Sequence, residues 1–223
     1  MLPDQLRVLY LHGFASSPGS RKARFFAQKL RAAGAHVEIP ALDGGDFQTL
    51  TITRQLHLVD NLAANEPVVL IGSSLGGYVA GLYAARTSRV ERLMLLAPAF
   101  QFHHLWTTNM TADELSFWRK TGTLPIFHYG EAREMAIGYQ LIEDAAQYEP
   151  WPNFSQPALI FHGTQDSDVP VLYSAEFVKN HPNAHLIQMN SGHELTDVMG
   201  QIWEQSSAFL VEGSIRNMAR YKC

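Results

Sequence analysis

A serine hydroxyl is a weak nucleophile at its ordinary pKa, so a chain that uses one must set a base beside it and a carboxylate behind the base. Gly72-Ser73-Ser74-Leu75-Gly76 has the G-x-S-x-G spacing that places a serine on a sharp strand-to-helix turn. Small residues stand where side chains would collide with the adjoining strand and helix, and the turn pushes the Ser74 hydroxyl beyond the strand end. Leu75, first in the helix, has a backbone N–H that can face the same spot. An activated Ser74 predicts an acid and a histidine beyond later strands, and both are present. His193 stands in Ser191-Gly192-His193, and two acids compete in the turn His162-Gly163-Thr164-Gln165-Asp166-Ser167-Asp168-Val169-Pro170. Asp166 is preferred because it comes sooner after the strand and leaves Asp168 to cap the next helix. A second oxyanion donor is expected from Leu11-His12-Gly13-Phe14, with the N–H of Phe14 beside that of Leu75. His12 is read as holding that loop in place, not as a proton carrier.

Other chemistries fit less well. A phosphate loop of the Walker type ends in Gly-Lys-Ser/Thr, and no lysine occurs between Lys29 and Lys120. Neither H-E-x-x-H nor paired C-x-x-C spacing occurs, and His181-Pro182-Asn183-Ala184-His185 has a proline where a ligand-bearing helix would run. No metal and no cofactor are assigned. Of the remaining histidines, His162 begins a turn, His181 and His185 flank a Pro-Asn turn, and His103 and His104 lie in an irregular stretch.

The elements that must position these residues follow from short apolar runs. Arg7 to Leu11, Val37 to Leu42, Val68 to Ile71, Leu93 to Ala97, Ala158 to Phe161 and Leu186 to Met189 have strand length and are apolar on both faces, as strands of a covered parallel sheet are. Helical spacing runs from Ser20 to Ala33, Phe47 to Asn65, Leu75 to Arg86, Val171 to Asn180 and Leu195 to Leu210. The alternation predicts an α/β domain with a mostly parallel, doubly wound sheet of about six strands. Residues 100–151 break it. With 10 of the chain's 24 aromatic residues and seven acids against three bases, they predict a small helical cap inserted into a core of residues 1–99 and 152–223. A packing accessory is one reading of that cap. A lid over the site is the other, favoured because ligands of open α/β sheets bind beyond the strand C-termini. An acid-rimmed lid would make a strongly anionic substrate unfavourable.

The chain has 223 residues, a net charge of −4 and only 17% charged residues. A mild negative charge without a basic patch excludes a nucleic-acid partner. The uncharged window Pro67 to Ala85 contains Gly77-Tyr78-Val79-Ala80-Gly81, a small-residue pattern found in membrane helix pairs. Ser73, Ser74 and the central glycines make it strand, turn and helix instead of a membrane span. The lone cysteine is Cys223, and the first residues lack a basic, then apolar, leader; a cytoplasmic protein is expected. The oligomeric state is not written in the sequence.

These residues together resemble the serine hydrolases of the α/β-hydrolase fold. Leu11-His12-Gly13-Phe14-Ala15-Ser16-Ser17-Pro18, followed by Ser20 and Lys22-Ala23, and Ile71-Gly72-Ser73-Ser74-Leu75-Gly76-Gly77-Tyr78 are similar to the small bacterial YqiA-type esterases. The resemblance implies Ser74, Asp166 and His193 as a triad, carboxylic esters as substrates, and no cofactor, while the aromatic lid suggests that the ester carries a small apolar acyl or aryl group. The cap is longer than compact members carry. Thioesterase, peptidase and carbon–carbon bond hydrolase activities use the same triad, and a non-catalytic binding protein or interaction module could keep the same shape.

Overall fold

The computed structural model describes residues 6–212, and Cys223 lies outside them. Strands β1 (Arg7–Leu11), β2 (His36–Glu38), β3 (Val68–Ser73), β4 (Val90–Leu96), β7 (Ala158–Gly163) and β8 (Ala184–Met189) form one sheet in the order β2-β1-β3-β4-β7-β8. Every pairing in it is parallel. β2 is shorter than the run Val37 to Leu42. Pro40 has no N–H to offer the ladder, which confines it to the end of such an edge strand.

Helices cover both faces. Along β1, Leu9 and Leu11 pack into a core shared with α2 (Ile52–Ala63) and α3 (Leu75–Ala84), while Val8 and Tyr10 face α1 (Arg21–Ala32) and α8 (Met199–Glu212). α1 places Ala23, Phe26, Ala27 and Leu30 on its buried face, and each large side chain so buried contributes about 1.5–3 kcal/mol. Ser20 caps it by accepting from the Ala23 N–H. The run Phe47 to Asn65 is not one helix: a 3-10 turn at Phe47–Thr49 precedes α2, which starts afresh because Thr51 accepts from the Arg54 N–H as its cap.

Residues 100–151 hold α4 (Phe102–Asn109), α5 (Ala112–Thr121), an antiparallel hairpin of β5 (Thr123–His128) and β6 (Arg133–Gly138), and α6 (Gln140–Ala145). The composition predicts a helical cap; the segment does hold three helices, and it adds a two-stranded hairpin to them. Gly122, in a left-handed conformation, ends α5, and the bonded pair then forms with Leu124 opposite Ile137 and Ile126 opposite Met135. Trp118 fastens α5 to the hairpin by donating its indole N–H to the Ile137 carbonyl at 3.1 Å. α7 (Val171–Asn180) closes the crossover between β7 and β8.

Candidate active site

Ser74 sits between the last residue of β3 and the first of α3 with φ 52° and ψ −118°. That conformation costs a non-glycine residue about 1–3 kcal/mol and persists only when its surroundings fix it. Here they do. The Ser74 N–H donates to the Leu96 carbonyl at 2.9 Å, and its carbonyl accepts from the N–H groups of Gly77, Tyr78 and Ala99. A Cβ at Gly72 would lie 2.6 Å from Gly77 Cα, and one at Gly76 would overlap the Leu11 carbonyl. The two glycines of the motif are thus places where backbone packs on backbone.

The loop after β1 lies against this turn. Gly13 stands at ordinary contact distance from it: a Cβ there would be 3.5 Å from both the Ser73 carbonyl oxygen and Ser74 Cβ. Phe14 N–H donates to no backbone carbonyl among the described residues, and Leu75 N–H, in the first turn of α3, precedes the intrahelical bonds. His12 is buried, and Leu42 N–H donates to its Nε2 at 3.2 Å, which leaves the proton on Nδ1 for the Gly13 carbonyl at 2.9 Å. Burial depresses its pKa, in keeping with a neutral ring that holds the loop.

His193, in the loop after β8, is only 13% exposed at its side chain and donates Nδ1–H to Asp166 Oδ2 at 2.8 Å. That tautomer leaves Nε2 as the base. Asp166 Oδ1 accepts from the N–H groups of Asp168 and Val169 at 2.9 and 2.8 Å. Buried His162 donates Nε2–H to the Val169 carbonyl, accepts the Ser174 hydroxyl at Nδ1, and faces Asp166 Oδ2 at 3.2 Å. Burial works to raise the pKa of Asp166, but the hydrogen bonds from His162 and His193 outweigh it and hold the group well below the usual 3.8. Asp168 is exposed and does not cap the next helix: α7 opens at Val171 with Pro170 in the cap position. The Asp166 carboxylate instead receives the free N–H groups of this turn. His162 as a second partner of Asp166 was not foreseen, although its place at the end of a buried strand was the available signal.

Ser74, His193, Phe14 and Leu75 line one cleft of about 1010 Å³. Residues 100–151 supply part of its wall, chiefly Phe102, Leu105, Trp106 and Met110. Trp106 meets Phe14 edge-on with ring centroids 5.2 Å apart. None of the seven acids of that segment lines the cleft, contrary to the expected acidic rim. They serve elsewhere: Glu114 completes the capping box of α5, Asp144 accepts from Thr53, and Glu149 pairs with Arg86 through two bonds of 2.7 Å. Among the described residues, no group of three or more His, Cys, Asp or Glu is placed to hold a metal ion, and no helix is long and apolar enough to cross a membrane.

The geometry can be set against known proteins. Residues 7–210 match the sequence model described as "Uncharacterised protein family (UPF0227)". The chain belongs to that family. No curated protein matches this UPF0227 chain. Among solved structures it is similar to alpha/beta hydrolase domain-containing protein 10 from mouse, with TM-score 0.79 and 18% identity over 96% of this chain and 92% of that one. It also resembles Est1E from Butyrivibrio proteoclasticus, solved with ferulic acid bound, at TM-score 0.74 and 19% identity over 93% and 92% of the two chains. A monoacylglycerol lipase from Paleococcus ferrophilus gives TM-score 0.70 and 17% identity over 93% and 95%. The UPF0227 chain therefore has the α/β-hydrolase fold.

Proposed function

We propose that the UPF0227 chain is a serine hydrolase that cleaves carboxylic esters of small apolar acyl or aryl groups. The reading is carried by one observation: a serine held at a strained φ of 52° shares a cleft with a histidine whose far nitrogen is bonded to a buried aspartate at 2.8 Å. Ser74 attacks the ester carbonyl while His193 Nε2 takes its proton. His193 then returns that proton to the leaving alcohol, and Asp166 orients the ring and stabilises its charged form. The N–H groups of Phe14 and Leu75 hold the oxyanion, each donor of this kind contributing about 3 kcal/mol to the transition state. Water, activated by His193, releases the acid and restores the serine. The apolar part of the ester lies against Phe102, Leu105 and Trp106. Est1E and the monoacylglycerol lipase named above act or bind on the same fold, which supports an ester as the substrate.

Hydrolysis of p-nitrophenyl butyrate by the purified chain tests this directly. Ser74→Ala is expected to remove at least about 10³-fold of the activity. Turnover that survives the substitution contradicts the assignment.

A further inference from the structure

The cleft has a second end that ester cleavage alone does not use. The aromatic wall belongs to the core on the α2 and α3 face, whereas Tyr10 and the residues beside Lys22 belong to the core on the α1 and α8 face. On that side the cleft is lined by Tyr10, Ser17, Ser20, Arg21, Lys22 and Thr196. Lys22 is the unexpected member. It sits one turn before Phe26 on the buried face of α1 and is only 8% exposed.

A buried ammonium is costly unless an anion meets it at close range. The partner of Lys22 is Glu194, whose carboxylate stands 3.7 Å away on a side chain that is 74% exposed. Burial depresses the Lys22 pKa, and the nearby Glu194 and Asp166 charges act against that depression. Beside it, the Tyr10 hydroxyl is buried next to Ser73 without a partner at hydrogen-bonding geometry, and burial raises its pKa so that it remains a donor. The N–H groups of Arg21 and Lys22 precede the first backbone bond of α1, from Arg24 to Ser20, and add the positive end of the helix. A cation, a buried phenol without a partner and open backbone donors thus stand among the residues that line the same cleft as the nucleophile.

Resting on the serine-hydrolase reading, we propose that this end of the cleft binds a carboxylate of the substrate. The preferred ester then carries an anionic group on one side of the scissile bond and an apolar group, against Phe102 and Trp106, on the other. Glu194 is a stand-in that swings into solvent when the substrate carboxylate arrives.

Two matched pairs of esters test this and show which side of the bond carries the charge. p-Nitrophenyl hemisuccinate against p-nitrophenyl butyrate places it on the acyl side, and 3-carboxyphenyl butyrate against phenyl butyrate places it on the alcohol side. In at least one pair kcat/KM is expected to favour the anionic ester by about tenfold or more, as for a charge-assisted hydrogen bond. Lys22→Met is expected to lower that ratio about tenfold, whatever it does to both rates together, and Glu194→Gln, on an exposed side chain, to raise it. No preference in either pair overturns the proposal. So does a Lys22→Met enzyme in which both members fall alike, because Lys22 would then only steady the His193 loop through Glu194. If Lys22→Met does not fold, the wild-type ratios and Glu194→Gln decide. If no ester at all is cleaved, the triad reading fails instead. Calorimetric titration of monomethyl glutarate into the Ser74→Ala protein then judges the anion site separately: binding sensitive to Glu194→Gln supports it, and no binding overturns it.

Discussion

Ser74 and Asp166 show how single residues are made useful by what their neighbours forbid. The strained backbone of Ser74 is held by four backbone hydrogen bonds. Asp166 is kept ionised by four donors: two backbone N–H groups and the rings of His193 and His162. Asp166→Asn is expected to lower kcat by about 10⁴, because an amide favours the wrong tautomer of His193, while Asp168→Asn changes it less than about threefold. The reverse order, measured on the same ester, would mean that the exposed acid is the functional one. Asp166 also links stability to pH. Its pKa is lower in the folded chain than the ordinary 3.8, so its contribution is complete above about pH 4 and is lost as pH falls through the depressed value. The gap between the melting temperatures of wild type and Asp166→Asn should therefore begin to narrow as pH falls below about 5 and go on narrowing as pH falls toward the depressed value. At this scale the motif spacing made it legible that Ser74 and His193 share one cleft, and turn position picked Asp166 over Asp168 as the partner of His193 for a reason only half right. Lys22 was not legible as a residue of the cleft: a lysine on an amphipathic helix reads as solvated unless the buried stripe through Ala23, Phe26 and Leu30 is seen to include it.

Elements bring these residues within reach through backbone contact. The loop carrying Phe14 rests on the elbow at Gly76, and the hairpin turn rests on that loop, with the Tyr129 N–H donating to the Ala15 carbonyl at 2.8 Å. His128 packs edge-on against Phe47 at 4.8 Å between ring centres, below the same loop. Gly76→Ala is expected to force the loop and elbow apart, costing about 1–3 kcal/mol or more. The loss in kcat/KM should exceed what unfolding explains, because the distance between the Phe14 and Leu75 donors changes. A variant with normal activity and a normal melting temperature would show that the close approach is not needed. The covered strands were legible from apolar runs, since burial on both faces leaves little else in the sequence. The hairpin was not, because β5 and β6 are half exposed and lack the unbroken apolar signature, and the break before α2 turns on a single threonine cap.

Across the whole molecule, one parallel sheet separates two apolar cores, and the cleft crosses its C-terminal edge so that each core contributes a wall. Phe209→Ala, in the α1 and α8 core and outside the lining of the cleft, should cost about 3–5 kcal/mol and lower Tm by roughly 6–20 °C. Its kcat at 25 °C should be close to wild type, so equal loss of stability and kcat would tie the site to global order. The net charge of −4 lies in residues 100–151, but none of the seven acids there lines the cleft. Sequence placed the charge in a segment; the fold determines which way it faces. A nucleophilic Ser74 would be open to covalent capture from this cleft. Labelling with a fluorophosphonate probe, followed by mass spectrometry of the peptide containing residues 68–86, tests it most directly. One label per chain is expected, on Ser74, and none in Ser74→Ala; an unlabelled wild type, or label that persists after the substitution, rules Ser74 out as the nucleophile.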